Sequence, residues 1–80
     1  MTATVETKFD VGDMVYVADL YYDFYPISKP YVIRDVVVRI TSDSIHIHYE
    51  IEQEGISSYV PEGLAFETYT ECTKWCREHN

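Results

Sequence analysis

Two pairs of side chains in this sequence carry atoms that can ligate metal ions. His46 and His48 lie two residues apart in a segment of alternating polarity, so on a strand they would share a face. Cys72 and Cys76 lie four residues apart and would share a face of a helix. Together the four could form a zinc site, but their spacings differ from those of the usual zinc knuckles. We therefore favour the alternative, in which the cysteines are small buried hydrophobic residues, reduced as in cytosolic proteins, and the histidines lie on a solvated strand face.

A cluster of aromatic and acidic side chains lies between Asp19 and Pro26, where four aromatic rings and two carboxylates occupy eight residues. Aromatic rings make large contacts at low entropy cost and are enriched in binding hot spots. Carboxylates beside them select a basic partner and reject an acidic one. The segment Glu50 to Glu54 adds three more carboxylates. The predicted partner-binding residues are Asp19, Tyr21, Tyr22, Asp23, Phe24, Tyr25, Glu50, Glu52 and Glu54.

The charge balance limits the class of partner. Fourteen acidic residues against six basic ones give a formal net charge of -8, which disfavours direct binding to DNA or RNA. The same charge would steer the chain toward a basic protein surface, including one that normally holds nucleic acid. The alternative is that the acidic surface only keeps a small protein soluble.

No pattern in the sequence indicates catalysis. There is no nucleophile with an obvious base partner, and three glycines do not form a phosphate-binding loop. We therefore predict that the chain is not an enzyme and needs no cofactor. No apolar run approaches the roughly 20 residues of a membrane-spanning helix, and the N-terminus lacks a secretory pattern. The expected compartment is the cytoplasm, without membrane contact.

The sequence predicts one domain with a flexible leader over residues 1–8 and a single folded unit over residues 9–80. A turn at Gly12 should precede the first strand. Two prolines predict an irregular loop over residues 19–30. The β-branched run 31–40 predicts a strand with a bulge or bend at Arg34–Asp35. Residues 45–52 alternate apolar and polar, as a half-buried strand requires.

The C-terminal part of the sequence predicts a short strand, a helical turn and a helix. Pro61 to Phe66 predicts a tight turn that inserts Leu64 or Phe66 into the core. Thr68 and Glu71 have the spacing of a capping box, so a helix should run from about Tyr69 to Glu78. We predict a mainly β domain with one C-terminal helix, folded as a small SH3-like antiparallel β-barrel. The alternative is an α+β open meander with the helix on one face.

Two short motifs resemble those of Src-homology-3 domains. Residues 18–24 are similar to their Ala-Leu-Tyr-Asp-Tyr motif, and residues 57–60 are similar to their Ser-Asn-Tyr-Val motif. The tyrosines of these motifs line a groove for polyproline peptides in that family. The resemblance implies that Tyr21, Phe24 and Tyr59 would be groove residues. The paired tryptophans of the groove's far wall are missing, since Trp75 falls within the predicted helix.

A longer resemblance covers both ends of the chain. Phe9-x-Val-Gly-Asp-x-Val-Tyr and the segment 66–72, followed by Trp75-Cys76, are similar to small uncharacterised proteins of phages and low-GC Gram-positive bacteria. The resemblance implies a barrel with a helix and a mobile-element origin. Small acidic phage proteins often act as inhibitors of host nucleases, and anti-CRISPR proteins are among them. This chain is similar to them in size, charge and implied origin.

The resulting functional hypothesis is a non-enzymatic acidic protein-binding module of phage type. It would act in the host cytoplasm as an inhibitor that occupies a basic, nucleic-acid-binding surface of a host protein such as a CRISPR nuclease, and it would be a monomer or homodimer. The alternative is a metal-stabilised or structural phage accessory protein in which His46, His48, Cys72 and Cys76 meet.

Overall fold

The computed structural model describes residues 5–20 and 24–80, and the predicted class, a mainly β domain with one C-terminal helix, is confirmed. The side chain of Leu20 lies outside the described part. The strands are β1 (Met14–Leu20), β2 (Phe24–Pro26), β3 (Tyr31–Val32), β4 (Asp35–Ile40), β5 (Ile45–Gln53), β6 (Ile56–Pro61) and β7 (Ala65–Phe66). A 3-10 turn over Glu62–Leu64 precedes β7, and the helix α1 runs over Tyr69–Glu78.

The strands form two antiparallel sheets. In the first sheet β1 is central: β2 pairs with its C-terminal half, β3 with its N-terminal half and β7 with its middle. In the second sheet β4, β5 and β6 follow one another as a meander. Within the described residues no strand pairing joins the sheets into a closed ring, so the hydrogen-bonded ladders do not form a closed barrel.

The chain passes from the first sheet to the second at a bend between β3 and β4. The amide of Ile33 donates to the Asp13 carbonyl at 2.8 Å, whereas the next amide, of Arg34, donates to the Glu50 carbonyl at 2.8 Å. Consecutive residues therefore bond to different sheets. The bend that the sequence predicts at Arg34–Asp35 is confirmed.

The main core lies between the two sheets. Val15 and Val17 point inward from β1, and Tyr49 and Ile51 point inward from β5, as their period-two spacing requires. Ile33, at the bend, packs in the same cluster and is fully buried. This core holds the second half of β5 against the middle of β1.

The helix covers the opposite face of β1. The Thr68 half of the predicted capping box is confirmed, since the Thr68 hydroxyl oxygen accepts a hydrogen bond from the Glu71 amide at 3.1 Å. Cys72 and Cys76 are buried and pack in one cluster with Ala18 of β1 and Phe66 of β7. The middle of β1 is thus covered on both faces, by the second sheet on one side and by α1 on the other. No described helix has the length and apolar character needed to cross a lipid bilayer.

The long segment after β1 is more regular than the sequence predicts. Instead of an irregular loop from residue 19, β1 continues to Leu20, and Phe24–Pro26 pairs with it in register. Pro26 is tolerated because it ends the short strand, where a missing amide donor interrupts no ladder. Asp19 and Tyr25 are therefore held opposite each other by a hairpin.

A hydrogen-bonded tyrosine ties the N-terminal segment to the core. The Tyr49 hydroxyl donates to the Glu62 carboxylate at 2.5 Å and accepts from the Phe9 amide at 3.2 Å. The same carboxylate oxygen accepts from the Lys8 amide at 3.0 Å. Burial and the hydrogen bond to Glu62 raise the pKa of Tyr49 from its ordinary value of 10.0 to about 12.

Alkaline pH should therefore weaken the fold through Tyr49. The unfolded chain releases this phenolic proton first, so the contribution of the protonated hydroxyl is fully present below about pH 10 and is lost as the pH rises toward about 12. Urea unfolding across this range should show a falling free energy of unfolding. The fall should be smaller in Tyr49→Phe, which has no phenolic proton. An equal fall in both proteins would contradict the prediction.

Candidate binding site

A cleft separates the C-terminal half of β1 from β6, where the two sheets are not joined. Its cavity has a volume of about 230 Å³. The floor is apolar and includes the buried Val17, Ile51 and Val60. Polar groups lie at the mouth, among them Asp19 on the β1 side and Ser58 on the β6 side. The volume is below the roughly 300–1,000 Å³ of a typical small-molecule site.

Asp19 brings part of the predicted aromatic-acidic segment to this cleft. The Tyr25 hydroxyl donates a hydrogen bond to the Asp19 carboxylate at 2.9 Å, across the β1–β2 hairpin. Tyr25 is 46% exposed. The pair places a half-exposed tyrosine ring next to the carboxylate that lines the cleft. The hydrogen bond fixes the tyrosine ring, so little rotamer freedom remains to be lost on binding.

Tyr59 lies at the other edge of the cleft and links it to the charged outer face of the second sheet, the face turned away from the core. In register, Glu50 lies between Asp35 of β4 and Tyr59 of β6. A hydrogen bond to Glu50, together with the charge of that carboxylate, raises the pKa of Tyr59. Tyr59 is 58% exposed. On this outer face the row places the Tyr59 ring next to the cleft, the Glu50 carboxylate one strand away and the Asp35 carboxylate at the far edge of the sheet.

Glu52 and Glu54 belong to a neighbouring cavity rather than to the cleft. That cavity, of about 450 Å³, also includes Lys29 and Arg34. Glu52 forms an ion pair with Arg34. The cavity is therefore of mixed charge. Because Arg34 already neutralises Glu52, this carboxylate attracts a basic partner less strongly than a carboxylate without an ion pair would.

Glu54 has an unusual backbone conformation. It forms with Gly55 the two-residue turn between β5 and β6, and both have positive φ angles, 52° and 83°. This is the pattern of the primed turns that match the twist of a hairpin. A residue with a Cβ in this region costs about 1 kcal/mol relative to glycine. The turn places the Glu54 carboxylate at the tip of the hairpin.

Phe24, also predicted to bind the partner, contributes to packing in this structure. Its ring contacts Trp75 of α1 in an edge-to-face arrangement, with centroids 4.8 Å apart. Its amide donates to the Asn80 side-chain oxygen at 2.9 Å, and its carbonyl accepts from the Asn80 amide group at 2.5 Å. Phe24 thus joins the β1–β2 hairpin to the C-terminal end of the chain. Tyr21, Tyr22 and Asp23 lie outside the described residues.

The structure places the two pairs of candidate zinc ligands in different parts of the fold. His46 lies exposed on the outer face of β5, where its Nε2 is 2.8 Å from the Ser44 hydroxyl, and His48 lies on the same face. Cys72 and Cys76 are free thiols on the buried face of α1. In the described part of the chain, no three His, Cys, Asp or Glu side chains form a group that could hold a metal ion.

The chemistry of the thiols also favours their packing role. Burial raises the pKa of Cys72 to about 12, and burial likewise raises the pKa of Cys76. The thiolate is the form that binds zinc, and these surroundings disfavour it. The zinc hypothesis stays a prediction, which metal analysis of protein purified without a histidine tag tests.

Sequence patterns indicated the acidic residues of this region but not the cleft. The sequence indicated Tyr59 only through a short motif resemblance. Its position opposite Glu50 follows once β5 and β6 are paired across the Glu54–Gly55 turn. Asp19 and Tyr59 are 40 residues apart in the sequence and line the same cleft only because of tertiary packing. No family model, curated protein or solved structure matches the chain, so its function is inferred from this geometry.

Proposed function

We propose that this chain is a non-enzymatic acidic binding module whose cleft between β1 and β6 receives an extended, basic segment of a partner protein. The observation that carries the proposal is that Asp19 and Tyr59 line opposite sides of one cleft whose floor is apolar. The ring supplies contact area, and the carboxylate supplies selectivity for a positive charge.

A free strand edge beside the cleft supports an extended partner. β6 pairs with β5 on one side, and among the described residues no strand pairs with its other side. Such an edge presents backbone donors and acceptors that an added strand can satisfy. A peptide aligned on β6 would place alternate side chains over the apolar floor formed by Val17, Ile51 and Val60.

The charge distribution supports a basic rather than an acidic partner. Asp19 lines the cleft, Glu50 lies opposite Tyr59 on the adjoining outer face of the second sheet, and the whole chain carries a formal net charge of -8. Lysine or arginine side chains of the partner would lie near these carboxylates, and association would be faster at low ionic strength. A nucleic acid would be repelled by the same groups.

We also infer that the two sheets are the halves of an SH3-like barrel. The order of elements supports this: a strand with a long hairpin, a three-stranded meander, a 3-10 turn, and a short last strand that returns to β1. The bend at Arg34 lets one continuous segment serve both sheets. In this fold the cleft would be the open side of the barrel.

We further propose that the module is an inhibitor, the role that the phage resemblance implies. A basic segment that normally holds nucleic acid would be occupied by the acidic module, and nucleic acid would then be displaced. A captured nucleic-acid-binding protein should lose its DNA or RNA as the module is added. Retention of the nucleic acid at saturating module would contradict inhibition by occupation.

A charge-reversal experiment tests the site. The double variant Asp19→Lys/Glu50→Lys changes one carboxylate that lines the cleft and one that bonds Tyr59 beside it, and Glu67→Lys/Glu78→Lys makes the same change of net charge at exposed residues that do neither. Random displayed peptides selected on the wild type should be rich in lysine, arginine and β-branched residues. Their affinity should fall at least tenfold in the cleft variant, since two charge-assisted contacts are lost, and change little in the control.

Three outcomes of this experiment would count against the proposal. Equal loss in both variants would show that net charge alone matters. Unchanged affinity in the cleft variant would place the binding surface elsewhere. Selection of polyproline sequences would indicate a groove of the Src-homology-3 kind instead of strand addition.

A further inference from the structure

The strand β4 presents an unpaired, apolar edge on the side of the second sheet opposite to β6. In the order β4-β5-β6, β4 pairs with β5 only, among the described residues. It contains the run Val36-Val37-Val38, which is typical of strands. Val38 and Ile40 are 39% and 59% exposed, although both point toward the core side of the sheet. Exposed edges of this kind pair with other strands.

The charges on β4 fit this edge to a copy of itself. Asp35 and Arg39 are its charged residues, both are exposed, and their spacing of four places them on the same face. In an antiparallel pair of β4 strands centred on Val37, Asp35 of each copy lies opposite Arg39 of the other. The same register places Val36 opposite Val38. Two ion pairs and two apolar pairs result from one twofold axis.

Other registers do not give this match. A shift of one residue would exchange the two faces of the sheet. A shift of two residues would place Asp35 opposite Val37 or Thr41 and leave Arg39 without a carboxylate. Opposite charges directly across two strands stabilise the pair, and like charges destabilise it. The sequence of β4 therefore specifies one register out of several.

We propose that two copies of this chain associate through antiparallel pairing of their β4 strands, with the twofold axis at Val37. The three-stranded second sheets of the two copies become one six-stranded sheet, and Val38 of each copy is covered by Val36 of the other. β4 carries one acidic and one basic residue, so this strand has no net charge although the chain has a net charge of -8. The proposal does not depend on the cleft, which lies at the other edge of the sheet.

The single copy protects this edge in part. The Asp35 carboxylate accepts a hydrogen bond from the Val36 amide at 2.9 Å. On pairing, this carboxylate would turn to Arg39 of the second copy. Pairing therefore exchanges one hydrogen bond of this carboxylate for another.

Charge reversal and charge exchange test the dimer by sedimentation velocity over a wide concentration range. Arg39→Asp and Asp35→Arg should each weaken dimerisation about tenfold, because each replaces two attractive cross-strand pairs by repulsive ones. The double variant Asp35→Arg/Arg39→Asp should restore it, since the pairs reform with exchanged positions. Arg77→Asp, which makes the same charge change on α1, should dimerise as the wild type does.

Cross-linking tests the register. Val37→Cys should form a disulfide-linked dimer under mild oxidation of the folded protein, because Val37 lies opposite itself. Arg39→Cys should not, because it lies opposite Asp35. A monomer at millimolar concentration, dimerisation insensitive to the single reversals, or linkage of Arg39→Cys in place of Val37→Cys would each overturn the proposal. Circular dichroism confirms that each variant is folded.

Discussion

Replacing Tyr49 by alanine should lower the free energy of unfolding by about 4 kcal/mol, within the range of 3–5 kcal/mol for large aromatic residues in a core. The ring is fully buried and makes an edge-to-face contact with Phe9 at 5.7 Å between centroids. A domain of 80 residues has a total stability of roughly 4–12 kcal/mol. The variant should therefore be close to unfolding at room temperature.

Two further variants separate the causes of this loss. Tyr49→Phe keeps the ring and removes the hydroxyl that bonds Glu62 and Phe9, so it should cost about 1–2 kcal/mol. Tyr59→Ala removes an exposed ring from the neighbouring strand and should stay within about 0.5 kcal/mol of the wild type. Urea unfolding measures all three. Similar losses for Tyr49→Ala and Tyr59→Ala would contradict the core described for the two sheets.

Local features of the fold followed closely from the sequence. The helix begins after Thr68 because a hydroxyl three residues before Glu71 can accept its amide, and this bond needs no distant partner. The bend at Arg34 followed from a break in alternation. In each case the cause lies within a few residues of the effect.

Coverage of the sheet faces could not be predicted in the same way. Ile40, Ile45 and Ile51 lie on the core side of one sheet, yet Ile51 is fully buried while the other two are 59% and 52% exposed. Period two shows which side chains share a face, but not where the layer above them ends. The β4–β5 hairpin extends past the first sheet, and this depends on contacts between residues far apart in the sequence.

The candidate site shows the same limit. Composition indicated acids and aromatic rings, and among the predicted binding residues that the structure describes Asp19 lines the cleft, whereas Phe24 contacts Trp75 and Glu52 is paired with Arg34. Whether a ring contributes to packing or to a binding surface depends on what packs beside it. For Phe24 that neighbour is 51 residues away, a distance over which a local pattern carries no information.

The two proposed surfaces are compatible in one assembly. β6 and β4 are the opposite edges of the second sheet, so a dimer formed through β4 leaves a cleft free on each copy. Such a dimer would bind two segments of one partner, or two partners, with an effective concentration set by the span between its clefts. Arg39→Asp should then weaken binding to a bivalent partner without changing the affinity for a single peptide.

Replacing Trp75 by alanine should lower the free energy of unfolding by about 3 kcal/mol, the lower end of the range for large aromatic residues because Trp75 is only half-buried. Its ring contacts Phe24 of β2 and Phe66 of β7, with centroids 4.8 Å and 5.8 Å away, and it stacks on His79 at 4.0 Å. A ten-residue helix is not stable alone in water, so α1 depends on these contacts.

The loss should appear first in the helix and only then in the sheets. Hydrogen exchange of Trp75→Ala should show faster exchange for the amides of α1, while those of β5 keep most of their protection, because β5 packs in the other core cluster. Trp75→Phe keeps an aromatic ring between Phe24 and Phe66 and should cost less than about 1.5 kcal/mol. A uniform rise in exchange across α1 and β5 would show that the helix and the sheets unfold as one unit. Unchanged exchange in α1 would show that Cys72 and Cys76 alone hold the helix against β1.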